Sequence, residues 1–454
     1  MKERSLLFLV LIVLVVGSSP GWTGEKHLPP FPVEKDIYDF NLTMESFMVK
    51  PKYTDYELRI DLSYLPEDER LTNVPIIYVT DGQWRRMDHK YIHYLTYKKL
   101  IPPVIVAGIG YPKEVNADQA RTYDLLYDPR SFLREMTEEI IPLVEEKYSV
   151  DQNRRILFGA SAGGHFVVYA FLQNALDAEM TFSGYIGSSP HLLKSRVFGI
   201  AKKLISQERE VDAGLYLAYG QKESSYAYEK PNKRLFNILE EGNLGKFRFQ
   251  HHVYPGADHF SNTRLTLVDG LRLLLGGDER VSAPQRNGAI DLPYDTFFYD
   301  FRTSTQFYDW NTNLGGECAY STDPRYSVDG QPGSVRVSAD FGKCKELVFE
   351  TSSVYFPDFA DQEIEFKIYI PKDLADLGYE LSFLLHSTID MQWITDRSEG
   401  LIINKSGWST FKYKWRGKRI SGNMDCIRGF GVIITKKEDS PEWRGDLYFD
   451  DIHW

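Results

Sequence analysis

The stretch Ile156-Leu157-Phe158-Gly159-Ala160-Ser161-Ala162-Gly163-Gly164-His165 decides the fold. An apolar run breaks into small residues around one serine. It then resumes with Phe166, Val167, Tyr169, Ala170 and Phe171 at the spacing of a helix packed on a sheet. Arg155 to Phe158 predicts a short buried strand. A serine on a sharp strand-to-helix turn needs neighbours without bulk, because the helix must pass close to the strand and the serine backbone is strained. Gly159, Ala160, Ala162 and Gly163 meet that need, so Ser161 is the candidate nucleophile.

Outward from this turn the chain alternates between strand and helix patterns. Ile76 to Val79, Val104 to Ile109, Ile156 to Phe158, Leu215 to Tyr219 and Phe249 to Tyr254 are strand candidates. Between them, Ser131 to Tyr148 carries Phe132, Leu133, Met136, Ile140, Leu143 and Val144 at helical spacing, with Ser131 placed to cap its start. This alternation predicts an α/β fold with a mainly parallel sheet covered by helices. Reactive groups in such sheets gather at the carboxyl ends of strands.

Two further loops then matter. Gly220-Gln221-Lys222-Glu223 follows one strand candidate, and Pro255-Gly256-Ala257-Asp258-His259-Phe260 follows the next. A serine hydroxyl is a weak nucleophile until a base accepts its proton, and that base works best when a carboxylate orients it. Ser161, Glu223 and His259 supply these roles in the chain order of α/β-hydrolases. Asp212, Glu229 and Asp258 are nearby acids that leave the choice of Glu223 open. The amide of Ala162 and the amide of Gln83 or Gly82, on the loop after Ile76 to Val79, are expected to stabilise an oxyanion. Trp84, His165 and Tyr226, with Tyr228, are expected at the substrate pocket, His165 being equally open to a packing role. His89 and His93 have the helical spacing of a metal pair, but no third ligand is evident.

Residues 38 to 275 resemble the esterase D and enterochelin-esterase group of α/β-hydrolases, which is similar to family one of the carbohydrate esterases. The matching pieces are Ile77 to Gln83, Arg121-Thr122-Tyr123-Asp124, the Phe132 to Tyr148 helix, Gly159 to Gly164, Gly187-Ser188-Ser189-Pro190, Gly220-x-x-Glu223 and Pro255 to His259. The resemblance implies ester hydrolysis by the triad with no cofactor for catalysis. His191-Leu192-Leu193 departs from it, standing where relatives often carry bulky aromatics, so pocket specificity does not carry over.

The remaining features frame this core. Lys2 and Arg4 precede an apolar run from Leu6 to Val16 and then Gly17-Ser18-Ser19, which predicts an export signal within residues 1–24, too short to anchor in a bilayer. The expected destination is secreted or periplasmic, without stable membrane insertion. With 454 residues two domains are the default, and a net charge of -11 argues against nucleic acid or anionic membrane as partners. The expected division is an esterase domain over 25–277, a linker over 278–294 and a second domain over 295–454. The cysteines are Cys318, Cys344 and Cys426, and a Cys318 to Cys344 disulfide is open to an exported chain.

After the linker the pattern turns to short alternating strands, among them Val335-Arg-Val-Ser, Ile364 to Ile370, Tyr379 to Leu385, Trp408 to Trp415 and Leu447 to Ile452. They predict an all-β sandwich of jelly-roll type. Its two ends, Tyr299-Asp300-Phe301 and Leu447-Tyr448-Phe449-Asp450-Asp451-Ile452, resemble galactose-binding-like sandwiches and carbohydrate-binding modules. That resemblance implies sugar stacking on aromatics such as Trp310, Tyr355, Trp393 or Trp415, and a structural calcium near Asp300 and Asp451. The whole chain therefore reads as an exported serine esterase removing acetyl or feruloyl groups from plant cell-wall polysaccharide. An enterochelin-type siderophore esterase is the second reading, a non-catalytic glycan binder a third, and acyl transfer to a sugar hydroxyl stays chemically open.

Overall fold

A computed structural model describes residues 38–66, 72–242, 244–276, 298–352, 359, 362–389, 392–415, 421–422, 424 and 427–453. The export segment, the linker, Tyr355 and Cys426 lie outside the described residues.

The first part is one mixed sheet covered by helices. Its strands are β1 (Thr43–Val49), β2 (Leu58–Tyr64), β3 (Val74–Thr80), β4 (Ile105–Gly110), β5 (Val150–Ala160), β6 (Gly184–Ser188), β7 (Gly214–Gly220) and β8 (Arg248–Tyr254). They lie in the order β1-β2-β4-β3-β5-β6-β7-β8. The β1/β2 and β2/β4 pairs are antiparallel and every later pair is parallel. The interior strands read as continuous apolar runs because both faces are covered, and β3, β4, β6 and β7 are buried throughout. The helices are α1 (Arg86–Tyr97), α2 (Ala117–Thr122), α3 (Pro129–Glu135), α4 (Ile141–Lys147), α5 (Ala162–Asp177), α6 (Val197–Ser206), α7 (Lys230–Glu240) and α8 (Ser261–Leu275). Among the described residues no helix is long and apolar enough to cross a membrane.

The helix expected from Ser131 begins earlier. Pro129 occupies its first turn and Asp128 caps it, accepting from the Ser131 amide at 3.3 Å, so Ser131 is the capped residue rather than the cap. A π-helical turn at Met136–Ile140 then joins α3 to α4.

The second part is all β apart from short helical turns such as α9 (Ser304–Phe307). Its strands are β9 (Phe298–Tyr299), β10 (Trp310–Thr312), β11 (Gly316–Ser321), β12 (Ser334–Asp340), β13 (Glu346–Thr351), β14 (Glu363–Ile370), β15 (Glu380–Ile389), β16 (Gln392–Arg397), β17 (Leu401–Ile402), β18 (Gly407–Lys414), β19 (Ile427–Thr435) and β20 (Arg444–His453). One antiparallel sheet runs β10-β13-β19-β15-β16 with β17 beside β15, the other β11-β12-β20-β14-β18 with β9 beside β20. One apolar core draws on both sheets, and Trp310 is buried at its centre, stacked on Phe349 at 4.7 Å.

That burial corrects part of the sugar-binding expectation: Trp310 and Trp415 are core residues, whereas Trp393 is exposed. The disulfide expectation is corrected as well. Cys318 and Cys344 are free thiols, their sulfurs directed to the Trp310 and Glu346 carbonyls respectively. Asp300 directly follows β9 and Asp451 lies on β20, but Asp451 pairs with Lys367 and Asp300 accepts from Gln306 and the Arg302 amide. No cluster of three or more His, Cys, Asp or Glu fit for a metal exists among the described residues, so the calcium expectation finds no ligand set.

The two parts meet along a buried seam. Residues 38 to 42 run against the second part, with Leu42 and Phe40 backbone groups bonded to Ser304 and Thr305. Lys90 of α1 reaches Asp309 at 2.5 Å with both side chains buried, and the Tyr38 and Tyr299 hydroxyls donate to the same carboxylate. Burial pushes the Lys90 ammonium down to about 8, against the attraction of Asp309. Lys113 crosses the seam too, donating to Thr312 Oγ1 and to the Asn313 and Gly316 carbonyls.

Candidate active site

The carboxyl ends of β3, β5, β6, β7 and β8 converge, as a parallel sheet with covered faces requires. Ser161 follows β5 directly and sits in a backbone conformation that side chains rarely adopt, φ 59° and ψ -112°. Its amide donates to the Ser188 carbonyl, and its own carbonyl accepts from the His165 and His191 amides, which holds the turn in that shape. A Cβ on Gly163 would collide with Thr80 Oγ1 at the end of β3, so the small residue there is required by close approach.

Glu223 and His259 come together on the loops after β7 and β8. These loops are tied to each other, the Gln221 amide donating to the Tyr254 carbonyl and the Lys222 amide to that of Ala257. Glu223 is buried, and its Oε2 accepts from His259 Nδ1 at 2.8 Å. Its Oε1 accepts from Ser189 Oγ and the Gly220 amide, each at 2.6 Å. Asn262 of α8 donates to Ser189 Oγ at 2.8 Å and so fixes that hydroxyl. Asp258 is turned elsewhere: its Oδ1 accepts from the Phe260 and Ser261 amides. Glu229 is paired with Lys233 at the surface.

A family described as "Putative esterase" matches residues 56–272. Among curated proteins the chain is 26% identical over 207 residues to the ferri-bacillibactin esterase BesA of Bacillus subtilis, covering 39% of this chain and 68% of that protein. It is 31% identical over 142 residues to the apo-salmochelin esterase of Escherichia coli, covering 26% of this chain and 42% of that one. Among solved structures, the BES protein from Bacillus cereus shares 25% identity with a TM-score of 0.45, over 51% of this chain and 94% of its own. The chain is a carboxylic ester hydrolase.

In this esterase the Tyr228 ring lies 4.7 Å from that of His259. Burial raises the Tyr228 phenol above its ordinary range, and the Ser161 side chain pulls against that rise. Ala162 is the first residue of α5 and Gln83 the second of a 3-10 turn at Gly82–Trp84, so neither amide has an acceptor inside its own helix. Gln83 is itself held, its Oε1 accepting from the Tyr111 amide at 3.2 Å. Arg121 grips Asp81, next to that turn, through two bonds of 2.8 Å and lies under the Trp84 ring at 5.4 Å.

Trp84 is 52% exposed and Tyr226 60%, so both are open to solvent. His165 is not a pocket residue. It is buried, its Nδ1 against the Leu125 carbonyl at 2.7 Å and its Nε2 against Ser195 Oγ at 2.8 Å, and burial pushes it down to about 4. With both ring nitrogens engaged it fastens α5 to its neighbours. His89 and His93 share the Ser63 hydroxyl at 2.7 and 2.9 Å, and burial lowers them to about 4 and about 3. They pack α1 on β2 and form no metal cluster with other described residues.

Sequence reasoning did not find Asn262, which only the approach of α8 to β6 and β7 brings to Ser189, the hydroxyl that bonds the acid. Nor did it find any residue of the second domain near His259, where Arg428 of β19 bonds Asp258 at 2.9 Å.

Proposed function

We propose that the chain is a serine esterase acting on siderophore esters. The observation that carries the ester chemistry is the 2.8 Å bond from His259 Nδ1 to the buried, fully engaged Glu223 at the strand ends where Ser161 also sits. The substrate class is supported by the two matched relatives, named for ferri-bacillibactin and apo-salmochelin. They favour this reading over acetyl or feruloyl groups on plant cell-wall polysaccharide.

In this mechanism Ser161 Oγ attacks the ester carbonyl while His259 Nε2 takes its proton. Glu223 keeps Nδ1 protonated and stabilises the imidazolium. The Ala162 and Gln83 amides receive the developing oxyanion. His259 returns the proton to the departing alcohol, leaving an acyl-enzyme on Ser161. Water, deprotonated by His259, then attacks the acyl carbon, and the acid leaves as Ser161 regains its proton. We propose further that residues 1–24 export the protein; an intact Met1 in mass spectra of the protein recovered from its native host would count against it.

The test compares wild type and Ser161→Ala on ferri-bacillibactin, apo-salmochelin, methyl ferulate and acetylated xylan. Wild type should cleave a siderophore ester fastest, and Ser161→Ala should lose activity by at least ~1000-fold. Faster cleavage of methyl ferulate or acetylated xylan would overturn the substrate class.

A further inference from the structure

The second domain touches the turn that carries His259. Arg428 on β19 is buried, and its guanidinium donates to Asp258 Oδ2 at 2.9 Å. The other oxygen of Asp258 is already spent on the Phe260 and Ser261 amides and the Ser261 hydroxyl, at 2.8 to 3.0 Å, which closes the turn from His259 into α8. One carboxylate therefore links β19 to the backbone on the C-terminal side of His259. The guanidinium also lies 5.8 Å from the Phe260 ring centre.

Rings continue the contact outward. Tyr228 lies 4.7 Å from His259; His259 lies 5.8 Å from Phe260; and Phe260 lies 6.1 Å from Trp393 of β16. Trp393 is 47% exposed although it is anchored edge-on by His386 at 5.7 Å. An unbroken row of rings thus leads from the candidate catalytic His259 to a solvent-facing indole on the other domain. The Arg428 charge beneath it is paired with Asp258, so this wall offers a flat π face rather than a free cation.

The geometry points to a catalytic centre shared by both domains, in which Arg428 positions the His259 turn through Asp258 and Trp393 stacks on a planar aromatic part of the ester substrate. This deepens the proposed reading and rests on its ester chemistry. A π face of this kind favours offset or edge contacts with aromatic rings. Arg428 acts through Asp258 and is a positioning residue; Trp393 touches substrate.

The experiment uses the full chain, with active sites counted by a fluorophosphonate probe, and compares phenyl acetate, methyl acetate, acetylated xylan and ferri-bacillibactin. Trp393→Ala should raise KM for phenyl acetate about tenfold more than for methyl acetate, and Trp393→Phe should restore most of that ratio. Arg428→Ala should lower kcat per titrated site about tenfold for both small esters, with Arg428→Lys recovering part of it. Equal KM effects of Trp393→Ala on the two small esters, or a ratio that moves only with acetylated xylan, overturns the stacking role. Arg428→Ala protein that retains wild-type kcat per titrated site overturns the positioning role. Wild type that cleaves phenyl acetate but not ferri-bacillibactin removes the siderophore reading and leaves the shared centre to be judged by these ratios.

Discussion

Two buried carboxylates organise the molecule, and they are built differently. Glu223 lies among residues that each follow a strand of one sheet: Ser189 after β6, Gly220 at the end of β7 and His259 after β8. Asp309 is held by Lys90, Tyr38 and Tyr299, from α1, from the start of the described chain and from β9. The first holds a histidine ready to take up charge; the second compensates an ammonium inside the seam between domains. A local motif can announce the first kind, because strand ends of a parallel sheet converge by construction. Nothing local announces the second.

The comparison is sharpest at Glu223. Glu223→Gln should keep the packing but misdirect the His259 tautomer, lowering kcat by roughly 1000- to 10,000-fold. Asp258→Asn should cost far less, and equal losses in titrated kinetics would erase the distinction between the two acids.

At the seam, Asp309→Ala strands Lys90 in a buried setting and should cost about 3 kcal/mol, read as a lowered melting temperature. Lys90→Met in the same chain should recover most of it. A double variant no better than the single one would mean that the carboxylate matters to the tyrosines alone.

Acid should weaken the α/β part through its buried histidines. His89, His93 and His165 are held neutral, their folded values near 4, 3 and 4 lying below the ordinary 6.5. As pH falls below about 6.5 the unfolded chain takes up protons first, so stability present above that point is lost towards pH 4. The slope is up to about 1.4 kcal/mol per pH unit for each histidine. Melting temperature should fall steadily from pH 7 to pH 4.5, and His165→Gln should flatten part of the decline; an unchanged slope would remove His165 from the account.

The smallest effect concerns the second domain. Because Cys318 and Cys344 are free, reductant should leave the melting temperature within about 1 °C, and a larger fall would restore the disulfide.

Much of the α/β half is legible in the chain. The strands around Ser161 read as apolar runs, and the loops bearing Glu223 and His259 follow such runs immediately. β6 escaped because in Gly184-Tyr-Ile-Gly-Ser188 only two strand-favouring residues stand between glycines, and the neighbours on either side make it a strand. His165 is open to both a pocket and a packing reading in the sequence, because a polar residue one turn after the nucleophile says nothing of what lies above it, here Ser195 and the Leu125 carbonyl. Trp310 is ambiguous in the same way, since an aromatic on a short strand is equally suited to a core and to a sugar.

By itself the sequence determined the small residues that let α5 pass β5, the order serine, acid, histidine, and the change from helical to alternating periodicity near residue 277. These follow from steric allowance and from repeats of side-chain direction within a few residues. Only the tertiary structure decided that Asn262 holds Ser189 and Ser189 the acid, that Lys90 meets Asp309 across 219 positions, and that Arg428 reaches the His259 turn across 170. Such contacts depend on how two separately formed cores dock, and no periodicity along the chain records that geometry.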